Sequence, residues 1–418
     1  MKIVVVGAGV VGLACAYELL QDGHDVVVLD SASAGQAASH GNAAKVAIGE
    51  AGPVAAPGMV IQGMKWMLRS DSPLYVKPSL NPPFVRFMLM LARSCTESAF
   101  RTGLDKNLRL SVRSDEMFDE WHEAGVDFEL HQRGVLLAYE NAAGARAHME
   151  YQDLFDRHGA TADLLDEVGV HDLEPALSDR ITRGIFYAGD RQIEPDSLTS
   201  SLATHISKLG GEVIENCAVT GFDRDARGVT AVRTSGETHA CDGVVLAAGV
   251  WTAQLAEQLG TRIMLQSGKG YSVDYSPPPV QLRTSLTFDE AHIAVTALDG
   301  MVRVAGTMEF SGLNDSINPK RVAAIKKAAA EGLRGWDTDA PQRPAWAGHR
   351  PMTPDGLPMV GPLAPGANAW VATGHAMLGL TQAPVTGREI RHLVNGTRRP
   401  DPALSVDRFR GLGRGPRS

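Results

Sequence analysis

The sequence predicts an α/β protein, with one doubly wound α/β domain and a second, α+β domain built on an antiparallel sheet. Three observations support this prediction. The first thirty residues alternate strand, turn, helix and strand. The same alternation returns after residue 184. In between, short alternating runs flank Asp299-Gly300, a pair that is typical of a β-hairpin turn.

The N-terminal elements form one βαβ unit. A β-branched run over 2–6 predicts a strand, and an Ala- and Leu-rich stretch over 13–21 predicts a helix. A second apolar run over 25–30 ends in Asp30. Residues 31–57 are rich in Ala, Gly and Ser, which indicates a long functional loop rather than a packed element.

The remaining elements divide the chain into two predicted domains. The predicted helices are 63–69, 83–94, 105–124, 143–158, one beginning at Pro195, and 321–333. The predicted strands are 134–139, 185–187, 212–215, 219–222, 242–249, 291–296 and 301–306, and a last α/β piece covers 346–394. We expect residues 1–80, 185–265 and 340–418 to form the first domain, and residues 81–184 and 266–339 to form the second.

Composition excludes several functional classes. The 418 residues carry 40 Lys and Arg against 48 Asp and Glu, a formal charge of -8, which gives no electrostatic footprint for nucleic acid. The four cysteines form no C-x-x-C pair, so nothing predicts a metal site, and free thiols are typical of a reducing cytoplasm. The uncharged N-terminal stretch over 3–17 is shorter than the ~18 residues of a membrane-spanning helix.

A dinucleotide-binding fingerprint opens the chain. Gly7-Ala8-Gly9-Val10-Val11-Gly12 follows a strand and begins a helix, the context in which G-x-G-x-x-G predicts a Rossmann-like phosphate site. Gly7 permits the turn, Gly9 lets a pyrophosphate approach, and Gly12 lets helix and strand pack closely. Asp30 stands near the ~20-residue offset at which a carboxylate accepts hydrogen bonds from ribose. The competing interpretation is a plain glycine-rich turn.

Two further segments favour a flavin over a nicotinamide dinucleotide. The loop over 39–44 consists of small residues whose N–H groups can reach the second half of a long cofactor. The buried run over 244–249 ends in small residues, as in folds that close on a flavin, although an ordinary core strand has the same pattern.

The chain resembles the flavin-dependent amine and D-amino-acid oxidoreductase family, and within it the D-amino-acid dehydrogenases. The resemblance covers nearly the whole chain. It is most specific in the opening fingerprint, in Pro53-Val54-Ala55-Ala56-Pro57-Gly58, in the Arg-Pro-x-Thr-Pro-Asp-Gly run over 350–356, and in the Gly-His-x-x-x-Gly run over 374–379. It implies a first domain of the glutathione-reductase type that binds FAD. Together the motifs and the resemblance predict the cofactor-binding residues Gly7, Gly9, Val10, Val11, Gly12, Asp30, Ser39, Gly41, Asn42, Ala43, Val219, Ala248, Gly249, Gly374, His375, Gly379, Leu380 and Thr381.

Three residues are predicted to act on the substrate. The resemblance implies that Arg350 grips the substrate carboxylate, and a guanidinium suits that task because its planar fork matches a carboxylate. The alternative is a structural ion pair with Asp355. Tyr271 is expected to donate a hydrogen bond to the same carboxylate, unless it is an ordinary buried tyrosine. His375 has both a catalytic and a structural interpretation.

This chain also departs from the family pattern. The loop that commonly reads Asn-Ala-Gly is here Asn42-Ala43-Ala44-Lys45, and the preceding Thr-Ser is Ala38-Ser39. A methyl group at Ala44 opposes a positive φ, so we expect an ordinary backbone there or a shifted loop. Family members with covalent flavin use a cysteine near the Gly-His stretch, and none lies there, so the prediction is noncovalent FAD.

The function expected from these features is oxidative deamination of a D-amino acid to a 2-oxo acid and ammonia, by hydride transfer to flavin. The electrons would pass to a quinone or another acceptor. The alternatives are an oxygen-using oxidase of glycine, sarcosine or a cyclic secondary amine, and a noncatalytic protein that retains the fold. A cytoplasmic location follows, with peripheral membrane contact by 66–68 and 84–91 if these apolar stripes are not simply core.

Overall fold

The computed structural model describes residues 1–67 and 72–409, and the side chain of Met67 is outside this description. The strands are β1 (Lys2–Val6), β2 (Asp25–Leu29), β3 (Lys45–Val46), β4 (Leu74–Val76), β5 (Leu130–His131), β6 (Val135–Tyr139), β7 (Asp163–Leu165), β8 (Arg183–Tyr187), β9 (Arg191–Ile193), β10 (Glu212–Ile214), β11 (Val219–Asp225), β12 (Gly228–Thr234), β13 (Thr238–Ala240), β14 (Gly243–Leu246), β15 (Gln266–Tyr275), β16 (Ser285–Phe288), β17 (Ile293–Leu298), β18 (Met301–Phe310), β19 (Trp346–Met352), β20 (Met359–Pro362) and β21 (Ala369–Thr373). The α-helices are α1 (Val10–Gln21), α2 (Met59–Met67), α3 (Pro82–Ser94), α4 (Glu97–Glu123), α5 (Ala142–Met149), α6 (Gln152–Arg157), α7 (Glu167–Leu173), α8 (Pro195–Lys208), α9 (Thr252–Gln258), α10 (Pro319–Gly332) and α11 (Gly379–Val394).

A six-stranded sheet forms the first layer, in the order β10-β2-β1-β14-β21-β20. All neighbours are parallel except β20 and β21. The strands are nearly continuous apolar runs, as expected for a sheet that is covered on both faces. The chain leaves β1 toward β2 on one side and returns to β14 on the other, so the carboxyl end of β1 is a topological switch point. Ligands of doubly wound folds bind in the crevice at such a point.

The larger sheet has nine strands, in the order β19-β15-β18-β17-β16-β6-β8-β7, with β4 also paired to β18. Most pairings are antiparallel, but β16–β6 and β18–β4 are parallel. One face packs on α10 and α7 around a cluster that includes Tyr271, Val273 and Ile325. The predicted second sheet is therefore confirmed, with two parallel pairings that no local pattern indicated.

Several elements match the sequence prediction, and others differ. The strand over 2–6 and the hairpin around Asp299-Gly300 are confirmed. The helix predicted over 143–158 is two helices, α5 and α6, and the strand predicted over 242–249 ends at Leu246. The helix predicted over 63–69 begins at Met59, and residues 68 and 69 lie outside the described residues.

The strand β19 is the largest difference. It pairs along its whole length with β15, from Gln266 opposite Met352 to Ser272 opposite Trp346. The sequence analysis assigned this segment to the last α/β piece, because nothing local distinguishes a strand of one sheet from a strand of the other. The predicted domain ranges remain a proposal, in which β19 and β4 are better grouped with the larger sheet.

No helix within residues 1–67 and 72–409 is both long enough and apolar enough to span a bilayer.

Candidate active site

A cavity of about 1090 Å³ runs from the carboxyl ends of β1 and β14 to the exposed face of the larger sheet. It brings together most of the residues that the sequence singled out. The predicted residues that line it are Gly7, Gly9, Val10, Val11, Asp30, Ser39, Gly41, Asn42, Ala43, Val219, Ala248, Gly249, Tyr271, Arg350, His375, Gly379, Leu380 and Thr381. Gly12 and Gly374 do not line it.

The glycine turn forms one end of the cavity. Gly7 has φ of +111°, and a Cβ built on it would lie 2.6 Å from the Ala247 carbonyl oxygen. A Cβ on Gly12 would overlap the Gly7 carbonyl, so Gly12 allows α1 to approach β1 although it does not reach the cavity. The Val10 N–H donates to Ser39 Oγ at 3.0 Å. This end therefore leaves backbone exposed where side chains would block a phosphate.

Asp30 fixes the turn from the neighbouring strand. One carboxylate oxygen accepts the Ala8 N–H at 2.6 Å, and the other accepts the Ala32 N–H at 2.9 Å. Burial raises the pKa of Asp30, and these two backbone hydrogen bonds oppose that rise. A carboxylate offers about four lone-pair sites, so Asp30 retains acceptor capacity toward the cavity for a ribose hydroxyl.

The loop over 38–47 forms the middle of the cavity wall. The Asn42 side chain donates to the Ser39 carbonyl and accepts the Ala44 N–H at 2.7 Å. Ala44 has φ of +55°, so the expectation of an ordinary backbone is wrong: the positive φ of a glycine is kept with a methyl group attached. The turn made by Asn42 holds the loop in this conformation at a cost of about 1–2 kcal/mol.

The α11 N-terminus forms the opposite wall. Gly379, Leu380 and Thr381 make its first turn, and no side chain caps it. A helix N-terminus carries partial positive charge and unpaired N–H groups. Gly374 sits behind this wall with φ of +80°, where a Cβ would lie 2.7 Å from Thr353 Cγ2.

Arg350 projects from β19 into the cavity and has no carboxylate partner among the described residues. Its Nη1 donates to the Thr307 carbonyl at 2.8 Å, and its guanidinium lies against the backbone of Gly270. Burial lowers the pKa of Arg350 to about 10, which leaves it charged at neutral pH. The alternative of a structural pair with Asp355 is wrong, because Asp355 forms a two-pronged ion pair with Arg408 at 2.8 and 3.0 Å.

Tyr271 is placed differently from the prediction. Its hydroxyl donates to Glu309 Oε2 at 2.7 Å, and burial together with that carboxylate raises the Tyr271 pKa. A phenol has one proton, so it cannot also donate to a substrate carboxylate. Although Tyr271 is one of the residues at the cavity wall, its ring packs in the cluster with Ile325 of α10, and no local pattern in the sequence indicates that face of β15.

His375 is buried against α11. Its Nε2 lies 2.9 Å from Thr386 Oγ1 on α11, and burial lowers the His375 pKa to about 3. The ring is therefore neutral at physiological pH. This arrangement favours the structural interpretation, in which the ring orients the segment between β21 and α11.

The sequence analysis missed four residues around the cavity. Thr307 has φ of +71°, unusual for a β-branched residue, and presents its carbonyl to Arg350. Gly270 lies under the guanidinium, and a glycine inside a strand is a signal for such close approach. Lys45 and Glu50 form an ion pair at another part of the wall. A lysine within a loop of small residues was the available signal for Lys45.

The donor set fits FAD. The cavity combines a phosphate turn that a Cβ at Gly7 would fill, a carboxylate at the end of the second strand, and a long wall of small residues and backbone. Cys217 lines the cavity next to Asp30, whose carbonyl accepts the Cys217 N–H, and so lies at the turn end rather than at the Gly-His stretch. Noncovalent binding remains a prediction.

Comparison with known proteins agrees with this geometry. The family model described as FAD dependent oxidoreductase matches residues 2–393. A protein of Cereibacter sphaeroides named D-amino acid dehydrogenase is 34% identical, over 99% of this chain and 97% of its own length. One of the same name from Methylobacterium nodulans is 33% identical, over 95% and 96%.

Solved structures show the same fold. Glycine oxidase from Geobacillus kaustophilus superposes with a TM-score of 0.77 at 21% identity, covering 98% of this chain and 99% of its own. L-Proline dehydrogenase from P. horikoshii superposes with a TM-score of 0.73 at 17% identity, covering 98% and 97%. With the family model matching nearly the whole chain, this protein belongs to the FAD-dependent oxidoreductase family.

Proposed function

We propose that this protein oxidises D-amino acids to 2-oxo acids and ammonia and passes the electrons to a quinone or a similar carrier. The observation that carries the proposal is the charged Arg350 guanidinium, which faces the cavity and lacks a carboxylate within the described parts of the chain. Burying a charge is costly unless it is paired. A substrate carboxylate at this position would supply the missing partner.

The surroundings of Arg350 support its role as an anchor. The Thr307 carbonyl accepts one guanidinium N–H, and the flat backbone at Gly270 supports the guanidinium, so the remaining donors are held toward the cavity. An arginine presents five donors in a rigid fork and can grip a carboxylate with two parallel hydrogen bonds. The α-carbon of the substrate would thereby be held in one orientation.

The chain provides orientation rather than acid–base chemistry. The Tyr271 proton is used by Glu309, and His375 is tied to Thr386 with a low pKa, so neither is suited to remove a proton from the substrate. When bound, FAD supplies the two-electron oxidation by accepting a hydride from the α-carbon, and the resulting imine is hydrolysed by water. The backbone of 7–10, Asp30, the loop over 39–43 and the start of α11 would hold the cofactor.

The relatives support the choice of substrate class. The curated proteins named D-amino acid dehydrogenase are 33 to 34% identical along nearly their whole length. The solved oxidases and dehydrogenases are 21% identical or less and support the fold alone.

Anaerobic reduction of the purified holoprotein tests the proposal. We expect a D-amino acid to bleach the visible flavin absorbance and its L-enantiomer to leave it unchanged. Arg350→Met should keep the flavin and raise the half-saturating substrate concentration by about 100-fold, because a bidentate charged pair is lost. Arg262→Met, at an exposed guanidinium that does not line the cavity, is the control. Bleaching by both enantiomers, or an unaffected Arg350→Met variant, would contradict the proposal.

The proposed acceptor is a quinone in the membrane, because an apolar and basic surface surrounds part of the cavity. Helices α2 and α3 line the cavity with one face, and away from the cavity they expose Ile61 and Leu89 by 59 to 60%. The described residues 59–67 and 72–94 contain four Lys or Arg and no Asp or Glu, in a chain whose formal charge is -8. Exposed apolar side chains beside cationic ones are typical of a surface that binds anionic lipid.

Vesicle flotation tests this contact. We expect the holoprotein to float with vesicles containing phosphatidylglycerol and not with pure phosphatidylcholine. Replacing Ile61 and Leu89 with Gln should abolish flotation and quinone reduction in vesicles, while reduction of a soluble dye stays unchanged, because neither side chain lines the cavity. The matched control replaces Leu164 and Val168, two equally exposed apolar side chains that do not line the cavity. Equal loss in both variants would refute the assignment of this surface.

A further inference from the structure

An ion pair stands in the cavity on the side away from Arg350. The Lys45 ammonium contacts both the Glu50 carboxylate and Thr287 Oγ1, and Thr287 Oγ1 also donates to Glu50 Oε1 at 2.9 Å. All three residues line the cavity, and none of them belongs to the residues assigned to the cofactor or to the carboxylate anchor.

Within this ion pair, Glu50 is the residue whose side chain is more accessible from the cavity. The Lys45 side chain is 5% exposed, whereas that of Glu50 is 28% exposed. Lys45 and Thr287 each occupy one of its oxygens, and a carboxylate offers about four acceptor sites. Glu50 therefore has free acceptor capacity directed at the cavity, and its own geometry is fixed by two donors behind it.

The charge around this group also favours a cation. Lys45 and Glu50 compensate each other, and the buried carboxyl groups of Asp190 and Asp289 lie close enough to Glu50 to interact with it electrostatically. Burial raises the pKa of Asp190 to about 8 and that of Asp289 to about 6, so near neutral pH Asp190 is mostly protonated and Asp289 is mostly ionised. Because Lys45 balances Glu50 and Asp289 is mostly ionised, the net charge near this group is negative, which favours a cation.

The distance from Arg350 matches a long side chain. The guanidinium lies over Gly270 on β15, and Thr287 lies on β16, with β18 and β17 between them. Three strand spacings amount to about 14 Å. An extended chain of six carbons with a terminal nitrogen spans about 8 Å, and the hydrogen bonds at its two ends add about 3 Å each.

One row of the sheet between these points carries only small side chains. Thr287 is opposite Ala294 on β17, and Ala294 is opposite Ala305 on β18, so this row of the sheet presents two methyl groups. Directly paired residues face the same side of a sheet. This row continues from Ala305 to Ser272, which lies two residues from Gly270 on the same face of β15, so a slender chain can follow it from Thr287 toward the guanidinium.

We propose that Glu50 determines substrate specificity by accepting hydrogen bonds from the terminal cation of a long, basic D-amino acid such as D-lysine or D-arginine. Lys45 and Thr287 act as positioning residues that orient the Glu50 carboxylate. This inference rests on the proposed function, with Arg350 holding the α-carboxylate at the other end of the same substrate.

The test compares substrates of equal length. D-Lysine and D-norleucine share the same carbon chain and differ in the terminal ammonium group. We expect the holoenzyme to reduce its flavin with D-lysine at a kcat/KM at least 10-fold above that with D-norleucine. Glu50→Gln keeps the shape and removes the charge, and should remove this preference by lowering the D-lysine value 10- to 100-fold, while D-norleucine changes by less than about 3-fold.

A control variant and a binding measurement keep the test independent of folding. Glu290→Gln makes the same replacement at an exposed carboxylate that does not line the cavity, and should leave the preference unchanged. In the unmodified protein, 6-aminohexanoate should perturb the flavin spectrum at a concentration at least 10-fold lower than hexanoate. Both ligands carry the carboxylate without an oxidisable α-amine, so no turnover is needed.

The outcomes separate the two proposals. If D-norleucine is oxidised as well as D-lysine, or if 6-aminohexanoate binds no better than hexanoate, the role of Glu50 is refuted and the proposed function stands. If no D-amino acid reduces the flavin, the proposed function itself fails.

Discussion

Gly270→Ala should impair substrate binding without removing any charge from the cavity. A Cβ built on Gly270 would lie 2.5 Å from Cζ of Arg350, whereas ordinary contacts of a Cβ begin near 3.4 Å. The atom in the way is the end of a flexible side chain, so the fold tolerates the methyl group and the guanidinium moves by about 1 Å. Because Gly270 has no positive φ, alanine fits the strand backbone.

A displacement of this size is large for a catalytic anchor. A misplacement of 1 Å can cost about 100-fold in rate, which corresponds to about 2.7 kcal/mol. We expect kcat/KM for a D-amino acid to fall by about that factor, while the flavin content and the melting temperature stay near those of the unmodified protein.

Stopped-flow reduction under anaerobic conditions measures this effect. The matched control is Gly236→Ala, at a glycine with no heavy atom within 4 Å of the built Cβ and no positive φ. It should leave kcat/KM unchanged. A Gly270→Ala enzyme with full flavin and undiminished kcat/KM would show that the guanidinium does not position the substrate.

Three other predictions follow from local geometry. Ala44→Gly should change the free energy of unfolding in urea by less than about 1 kcal/mol, because relief of the positive φ offsets the lost methyl group. The control, Ala329→Gly inside α10, should lower the free energy of unfolding by about 2 kcal/mol. Equal losses in the two variants would contradict the strain at Ala44. Gly7→Ala should abolish FAD binding, because the added Cβ would clash with the Ala247 carbonyl. Gly23 also has a positive φ, of +74°, but a Cβ there meets no atom within 4 Å, so Gly23→Ala should keep the flavin. The ratio of flavin to protein absorbance in the purified variants measures the difference. Binding of a carboxylate ligand without an amine, followed by flavin difference spectra, should weaken as pH rises through about 10, since Arg350 loses its proton there; a flat profile to pH 11 would refute this.

Arg350, the proposed substrate anchor, shows how much of the site can be predicted from the sequence. The turn after the first strand, the close approach of a pyrophosphate and the end of the second strand each require a particular residue type. These requirements select the opening glycines and Asp30 at fixed spacings within thirty residues, so the sequence alone identifies them. Arg350 was identified through its motif, but the pairing of Asp355 with Arg408, which leaves Arg350 without a carboxylate partner among the described residues, is visible only in the structure. Choosing between those partners requires three-dimensional positions, since Arg408 is 53 residues from Asp355.

The wrong expectations have the same origin. Whether Tyr271 faces the cavity or α10 depends on the side of β15 that is buried, and the register of a strand is set by its neighbours. Ala44 adopts a positive φ because Asn42 and the surrounding loop hold it there, against its own preference.

The sequence by itself determined the α/β fold class, the phosphate-binding turn and the two C-terminal motifs, because each depends on residues close together in the chain. Only the tertiary structure decided which strands share a sheet, which charges are paired and which acceptors face the cavity. The pairing of β19 with β15 and the group formed by Lys45, Glu50 and Thr287 join segments more than 70 residues apart, and such contacts are chosen by packing over the whole fold rather than by local preference.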